Sequence, residues 1–252
     1  MGFDPVDSQY VCPFIGSECT KRGGKEGDKP YPVCAISTLK YGPICVCPKR
    51  FHQTPYLRDV MDLVWPGKPY DELSVSNEVT MRGFGRVDHV ISEIRDGEID
   101  KFVSVELQSI DFNGSVWPVY DAMRNGEIVD KRPSAGPNWK NVSKRYINQL
   151  ISKGFFHHHW GTKIYAAIQD KVYDYFRKDA DFPTFSDHTD PRLNVVFLIY
   201  ELRDDPVGKH RGVISLKKVE ATHHSNLQNA VLYKSTPEKS AFERAILGSL
   251  NR

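Results

Sequence analysis

Residues 83–111 read GFGRVDHVISEIRDGEIDKFVSVELQSID. Two runs rich in β-branched residues, 86–91 and 101–110, flank a polar, turn-rich segment containing Asp96-Gly97. The pattern predicts a hairpin, or two neighbouring strands joined by a longer turn. Asp88 stands on the first strand, Glu106 and Gln108 on the second. Side chains alternate faces along a strand, so Glu106 and Gln108 point one way and Leu107 points into the other layer. If pairing brings Asp88 opposite them, two carboxylates and an amide oxygen converge at one sheet surface. That is a hard-oxygen set suited to magnesium. The plainer alternative is a solvated strand face.

Outward from this stretch, the chain of 252 residues is long enough to bury a substantial core. One domain plus a small module is the natural division. A composition of 40% apolar and 26% charged residues belongs to a folded protein, not a disordered one. The net charge of +2 is too small to demand a polyanionic partner, yet nearly balanced charges can be sorted into an acidic centre with a basic surround. No apolar run approaches the roughly eighteen residues of a membrane span, and the N-terminus lacks the apolar core of a signal peptide. A soluble, cytoplasmic protein with no membrane partner is expected. The Asn-x-Ser sites at Asn113 and Asn141 then carry no glycan.

All five cysteines, Cys12, Cys19, Cys34, Cys45 and Cys47, lie near the start of the chain. In a cytosolic protein such clustering argues for a metal over disulfides. The surrounding loops are rich in Gly, Pro, Lys and Asp and could not close a core alone; a thiolate centre would supply folding energy. The spacings contain no C-x-x-C pair, so this is none of the common zinc fingers. Scattered reduced thiols are the alternative.

Tyr56, Leu57, Val60, Met61, Leu63 and Val64 have a rough helical spacing stopped by Pro66-Gly67, which predicts a helix packed on the core. Gly83-Phe84-Gly85 reads as a tight strand entry, since no complete nucleotide-loop motif accompanies it. Residues 112–137 are turn-rich and leave the second strand as a surface loop near the carboxylates, a candidate ligand-facing loop, with Trp117 read as a packed residue. From Asn141 onward, Val142, Tyr146, Leu150 and Ile151 form an apolar helical stripe, with Lys140, Lys144 and Arg145 towards another face. That basic face suits phosphate contacts or simple solvation. The tract His157-His158-His159 is read as a polar connector, because consecutive histidines cannot all face one metal from a helix or strand. Residues 163–169 and 194–200 read as buried strands. The segment 203–224, with Lys209, His210, Arg211, Lys217, Lys218, His223 and His224 and few acids, is a second candidate polyanion-contacting surface. Residues 238–250 predict a helix bearing Phe242, Ile246, Leu247 and Leu250. No G-x-S-x-G motif supports a serine hydrolase.

The Asp88…Glu106-x-Gln108 arrangement resembles the active site of PD-(D/E)xK nucleases, with glutamine where lysine is usual. The cysteine segment resembles the N-terminal metal module of NotI-like type II restriction endonucleases, through Cys12-Pro13-Phe14, Cys19-Thr20-Lys21, Val33-Cys34 and Val46-Cys47-Pro48-Lys49-Arg50. The likeness continues through Val87-Asp88, Val105-Glu106-Leu107-Gln108, Asp111-Phe112-Asn113-Gly114-Ser115 and Pro137-Asn138-Trp139-Lys140 in the same order, covering about residues 10–175. The resemblance implies iron held by Cys12, Cys19, Cys34 and Cys47. Thiolate softness alone permits zinc as well. Cys45 lies outside the family pattern, and its place two residues before Cys47 leaves the assignment open to a swap.

The expectation is therefore a mixed-sheet α/β endonuclease core over 56–252 behind a four-cysteine module over 1–55. Asp88 and Glu106 would bind Mg²⁺ and Gln108 would orient water. Asp111, Asn113, Lys140, Lys144 and Arg145 would contact double-stranded DNA. The family likeness further implies a prokaryotic source, a GC-rich palindromic target and a cognate DNA methyltransferase as functional partner. One catalytic constellation per chain and no internal repeat make a homodimer the simplest way to cut two strands. A repair or recombination nuclease on the same core, and a non-catalytic metal-module DNA-binding protein, are the competing readings.

Overall fold

The computed structural model describes residues 9–23, 29–30, 32–38, 40–113, 116–127, 136–203, 212–234 and 238–250. Among these the chain opens on two short antiparallel ladders. β1 (Arg22–Gly23) pairs with β2 (Lys29–Pro30), and β3 (Ala35–Thr38) with β4 (Gly42–Cys45). A 3-10 turn, Pro48–Gln53, leads into α1 (Tyr56–Val64). β5 (Leu73–Met81), β6 (Gly85–Arg95) and β7 (Glu98–Gln108) form an antiparallel meander. β8 (Phe112–Asn113), α2 (Trp117–Arg124) and β9 (Gly136–Pro137) lead to the long α3 (Trp139–His159). β10 (Ile164–Gln169), α4 (Asp170–Asp179), β11 (Val195–Arg203), β12 (Val213–Thr222), α5 (His224–Leu232) and α6 (Lys239–Leu250) complete the order.

Six strands make one mixed sheet in the order β12-β11-β10-β7-β6-β5. β7, β10 and β11 are parallel neighbours, and both flanks are antiparallel. The fold is mixed α/β, as expected. The β6–β7 hairpin turns on Asp96 and Gly97 at φ +53° and +82°, the left-handed pair that a two-residue turn of this type requires. Both strands run longer than their β-branched runs, since pairing extends to the turn.

Two cores sandwich the sheet. On one face Ile164, Ala166, Ile168, Val195, Phe197 and Ile199 meet Val142, Tyr146 and Leu150 of α3 and Val172, Tyr173 and Phe176 of α4. On the other, Val103, Val105, Tyr165, Val196 and Leu198 meet Tyr56, Val60 and Met61 of α1 and Trp65. Each such large apolar side chain contributes about 1.5–3 kcal/mol on burial. All of β10 is buried, which explains its unbroken apolar run.

β5 went unread in the sequence because it is an exposed edge strand, LSVSNEVTM, with polar residues on both faces. The histidine tract is not a connector. It forms the last turn of α3, with His157 buried against β7 and its Nε2 2.7 Å from Ser104 Oγ. Phe242, Ile246, Leu247 and Leu250 of α6 are exposed. No helix among the described residues is long and apolar enough to cross a membrane.

β4 and its neighbours are not a free appendage. Ile44 and Val46 belong to one core and Cys45 and Phe51 to the other. Gln169, at the end of β10, accepts from the Cys45 amide at 2.8 Å and donates to the Pro43 carbonyl at 2.9 Å. The chain that carries the cysteines is thereby fastened to the central sheet.

Candidate active site and cysteine cavity

The parallel pairing of β7 with β10 places Glu106 opposite Ala166 and Gln108 opposite Ile168. The alternation on β7 sends Val103, Val105 and Leu107 towards α1 and turns Ser104 and Glu106 towards α3. Registered pairing of β6 with β7 ends at His89 and Val105. Asp88 lies one residue further, and its Oδ2 accepts from the Leu107 amide at 2.7 Å. On the opposite side Glu78 has φ +50° and interrupts the β5–β6 pairing at Asp88's level. Asp88 and Glu106 therefore meet where the ladders open.

Glu106 is 6% exposed and forms an ion pair with Lys153, 3% exposed, reaching down from α3. The Lys153 ammonium also donates to the Arg86 carbonyl at 2.5 Å. Burial raises the Glu106 pKa to about 7; Lys153 opposes the shift and the Asp88 charge adds to it. The Tyr146 hydroxyl is buried with no hydrogen-bond partner. Burial, followed by the charges of Glu106 and Asp88, holds its pKa well above the usual phenol value. Two carboxylates and an unpartnered hydroxyl thus lie close together, with Lys153 as the buried counter-charge. Their donors are all hard oxygens, which fit a small divalent cation such as magnesium.

The Gln108 amide nitrogen donates to the neighbouring Ser109 carbonyl. Asp111 is exposed; Arg145 lies 3.8 Å from its carboxylate, and its carbonyl accepts from the Asn138 amide. Asn113 lies on β8, paired with Gly136. Lys140, Lys144 and Arg145 stand exposed near the start of α3. Gly114, Ser115, Lys209, His210 and Arg211 lie outside the described residues. Lys217 and Lys218, in the second candidate polyanion-contacting surface, are engaged by Asp170 and Glu220 at 2.9 and 2.7 Å.

Lys153 is the residue that sequence reasoning missed. It follows Tyr146 and Leu150 by seven and three positions, on the buried stripe of α3. A lysine in a core-facing helical position signals a buried acidic partner.

Cys12, Cys19, Cys34 and Cys47 line one cavity of about 550 Å³. The Cys45 thiol turns away into the core and donates to the Cys47 carbonyl. The Val11–Glu18 bridge and the Cys12 and Cys19 amide bonds to Ser17 and Tyr10 shape the first cysteine loop. Arg50 covers the Phe14 ring at 5.5 Å, joining the two ends of the segment. Desolvation pushes the Cys34 thiol up to about 12, and Cys47 and Cys12 add to the shift. Thiols gathered in one cavity fit a soft cation, which would offset their charge on ionising.

The class is that of the restriction endonucleases, enzymes that act on double-stranded DNA: residues 6–211 match the family described as "Restriction endonuclease NotI". That match covers most of the chain, which belongs to the NotI restriction endonuclease family. No curated protein matches the chain, and no solved structure does.

Proposed function

We propose that this restriction endonuclease is a magnesium-dependent type II enzyme that hydrolyses both strands of DNA at a specific palindrome. The core would be of the PD-(D/E)xK kind, residues 56–252, with residues 1–55 as a four-cysteine module holding iron or zinc. The observation that carries the reading is the buried Glu106–Lys153 pair beside Asp88. Asp88 and Glu106 would hold the magnesium. The bound ion supplies an acidified water and offsets charge on the scissile phosphate.

Lys153 gives the site the ammonium that Gln108 cannot. Its charge stabilises ionised Glu106 and adds positive potential where the phosphate charge develops. Gln108 orients water or a metal ligand. Lys140, Lys144 and Arg145 contact phosphates on the approach, and Asp111 and Asn113 lie at the DNA-facing edge. A GC-rich target and a cognate methyltransferase rest on the family likeness. One catalytic constellation per chain makes a homodimer the simplest means of cutting two strands.

Plasmid DNA incubated with the protein and Mg²⁺, followed by sequencing of fragment ends, tests the reading. Unique ends related by a two-fold axis are expected. Random nicking, or intact plasmid across a broad panel of sequences, would refute it.

A further inference from the structure

We propose that His158, His223 and His224 form a second metal site, for one zinc-like divalent transition-metal ion that fastens the end of α3 to the β12–α5 junction. Among the described residues these three are the group of metal-binding side chains whose ligand atoms all lie within 4.8 Å of one another. His158 comes from the last turn of α3, His223 caps α5, and His224 begins it. Residues distant in sequence thus bring their rings together, which a run of consecutive histidines could not do.

The geometry suits coordination. His158 Nδ1 and His223 Nε2 face each other at 3.4 Å. Two nitrogens bound to tetrahedral zinc at about 2.0–2.1 Å stand about 3.3 Å apart. The tautomer of His224 is set by Asn194. The Asn194 side-chain nitrogen donates to the Gly154 carbonyl at 2.6 Å, which fixes its oxygen as the acceptor of the His224 amide at 3.1 Å. The His224 Nδ1–H then donates to that same oxygen at 3.3 Å, leaving Nε2 with its lone pair. Such an outer hydrogen bond orients a histidine ligand. At His223 the Nδ1 accepts from the Ser225 amide at 3.3 Å, so metal binding at Nε2 moves the ring proton to Nδ1, where the Ser225 hydroxyl, 2.6 Å away, accepts it.

The surroundings favour the neutral form of His223 and His224 and bring the elements close. Burial and the neighbouring histidines lower the His224 pKa to about 4, and burial also lowers that of His223. Gly154 permits the approach of α3, since a Cβ there would stand 2.9 Å from His224 Cβ and 3.1 Å from Val195 Cγ2. The negative end of α3 favours a cation and the positive end of α5 disfavours it, so the ligands decide. Three imidazoles select zinc, nickel or copper over magnesium. With His158 exposed, the fourth position is open to water. The site is separate from both the carboxylates and the thiols.

Cobalt(II) titration of the purified protein tests the site, read by its visible spectrum and by equilibrium dialysis. Wild type should bind one cobalt with weak d–d bands and without intense thiolate-to-cobalt charge transfer. His158→Ala and the His158→Ala/His223→Ala pair should weaken this uptake at least about tenfold, the lower end of the losses seen on disturbing a metal's surroundings. Zinc should raise the melting temperature of wild type and not of His158→Ala, a truncation at an exposed position outside the packed core. Cys34→Ser should keep the d–d bands. Unchanged uptake in the double variant, absent uptake in wild type, or bands that vanish with Cys34 would overturn the proposal.

Discussion

The Lys153 ammonium and the Glu106 carboxylate meet inside the protein, at the point where α3 crosses the open end of the β6–β7 ladder. Removing one partner of such a pair leaves an uncompensated buried charge. We expect Lys153→Met to slow single-turnover cleavage by about 100-fold or more, on the order of 3 kcal/mol of transition-state stabilisation. Calcium-supported DNA binding should change only a few-fold. The acid limb of the pH–rate profile should move to higher pH, because the ammonium that opposes the rise of the Glu106 pKa is gone. A profile unmoved in Lys153→Met would limit the lysine to packing.

The raised Glu106 pKa has a thermodynamic sign. Its ordinary value of 4.5 rises to about 7 in the fold, so the folded state binds the proton more tightly than the unfolded state. The contribution to stability is complete below about pH 4.5 and is lost as pH rises through about 7. Without magnesium, wild type should therefore lose stability across this window relative to Glu106→Gln, whose amide does not titrate. Under the proposed mechanism cleavage should run the other way, since magnesium needs the ionised carboxylate. Rates at limiting magnesium should rise through about pH 7, and higher magnesium should move that limb down. Denaturant melts and pH–rate profiles at two magnesium concentrations check both.

Much of this arrangement was legible because its signals are local. Asp96-Gly97 specifies a tight turn by its backbone freedom, and the period of two on either side assigns Glu106 to one face. The unbroken apolar run of β11 marks a strand covered on both sides. Lys153 was not legible in the same way, since its partner lies 47 residues earlier on another element. Only its place in the apolar stripe of α3 hinted at burial. The histidine triad depends on the return of the chain from β12 to the end of α3, a tertiary relation that no window over residues 157–159 contains.

The cavity gathers Cys12, Cys19, Cys34 and Cys47 and leaves Cys45 out. Cys34→Ser should lower the metal content from about one iron or zinc per chain and reduce solubility and melting temperature, as four thiolates imply. Cys45→Ser should keep the metal, because its thiol belongs to the core and does not line the cavity. Elemental analysis of both variants decides the point. Loss of metal from Cys45→Ser with retention by Cys47→Ser would exchange the two assignments.

Lys140, Lys144 and Arg145 should act through phosphates. Each replacement by alanine should weaken cognate and unrelated duplexes alike and reduce the slope of log K against log salt by about 0.9 for each lost contact. Arg145 carries an exposed ion pair to Asp111 at 3.8 Å, so Asp111→Asn should free it and tighten binding slightly at low salt. Fluorescence anisotropy over a salt series measures both. A substitution that changes base preference but not the salt slope would place that residue at a base edge.

Asp88 and Glu106 should separate cutting from binding. Asp88→Asn keeps an oxygen for the Leu107 amide but loses its charge, so the fold should survive while the cation is held less firmly. Glu106→Gln removes the buried charge and leaves Lys153 without its ion-pair partner. Each loss of a metal ligand should reduce cleavage about a thousandfold or more, at about 1.4 kcal/mol per decade. Binding measured in calcium-free buffer should hold or tighten, since a carboxylate repels the nearby phosphate most strongly at low salt. Gln108→Ala should be milder, about ten- to a hundredfold, if the amide only orients water. Single-turnover cleavage and binding on one duplex give the comparison, and near wild-type cleavage by Glu106→Gln would move the active site away from β7.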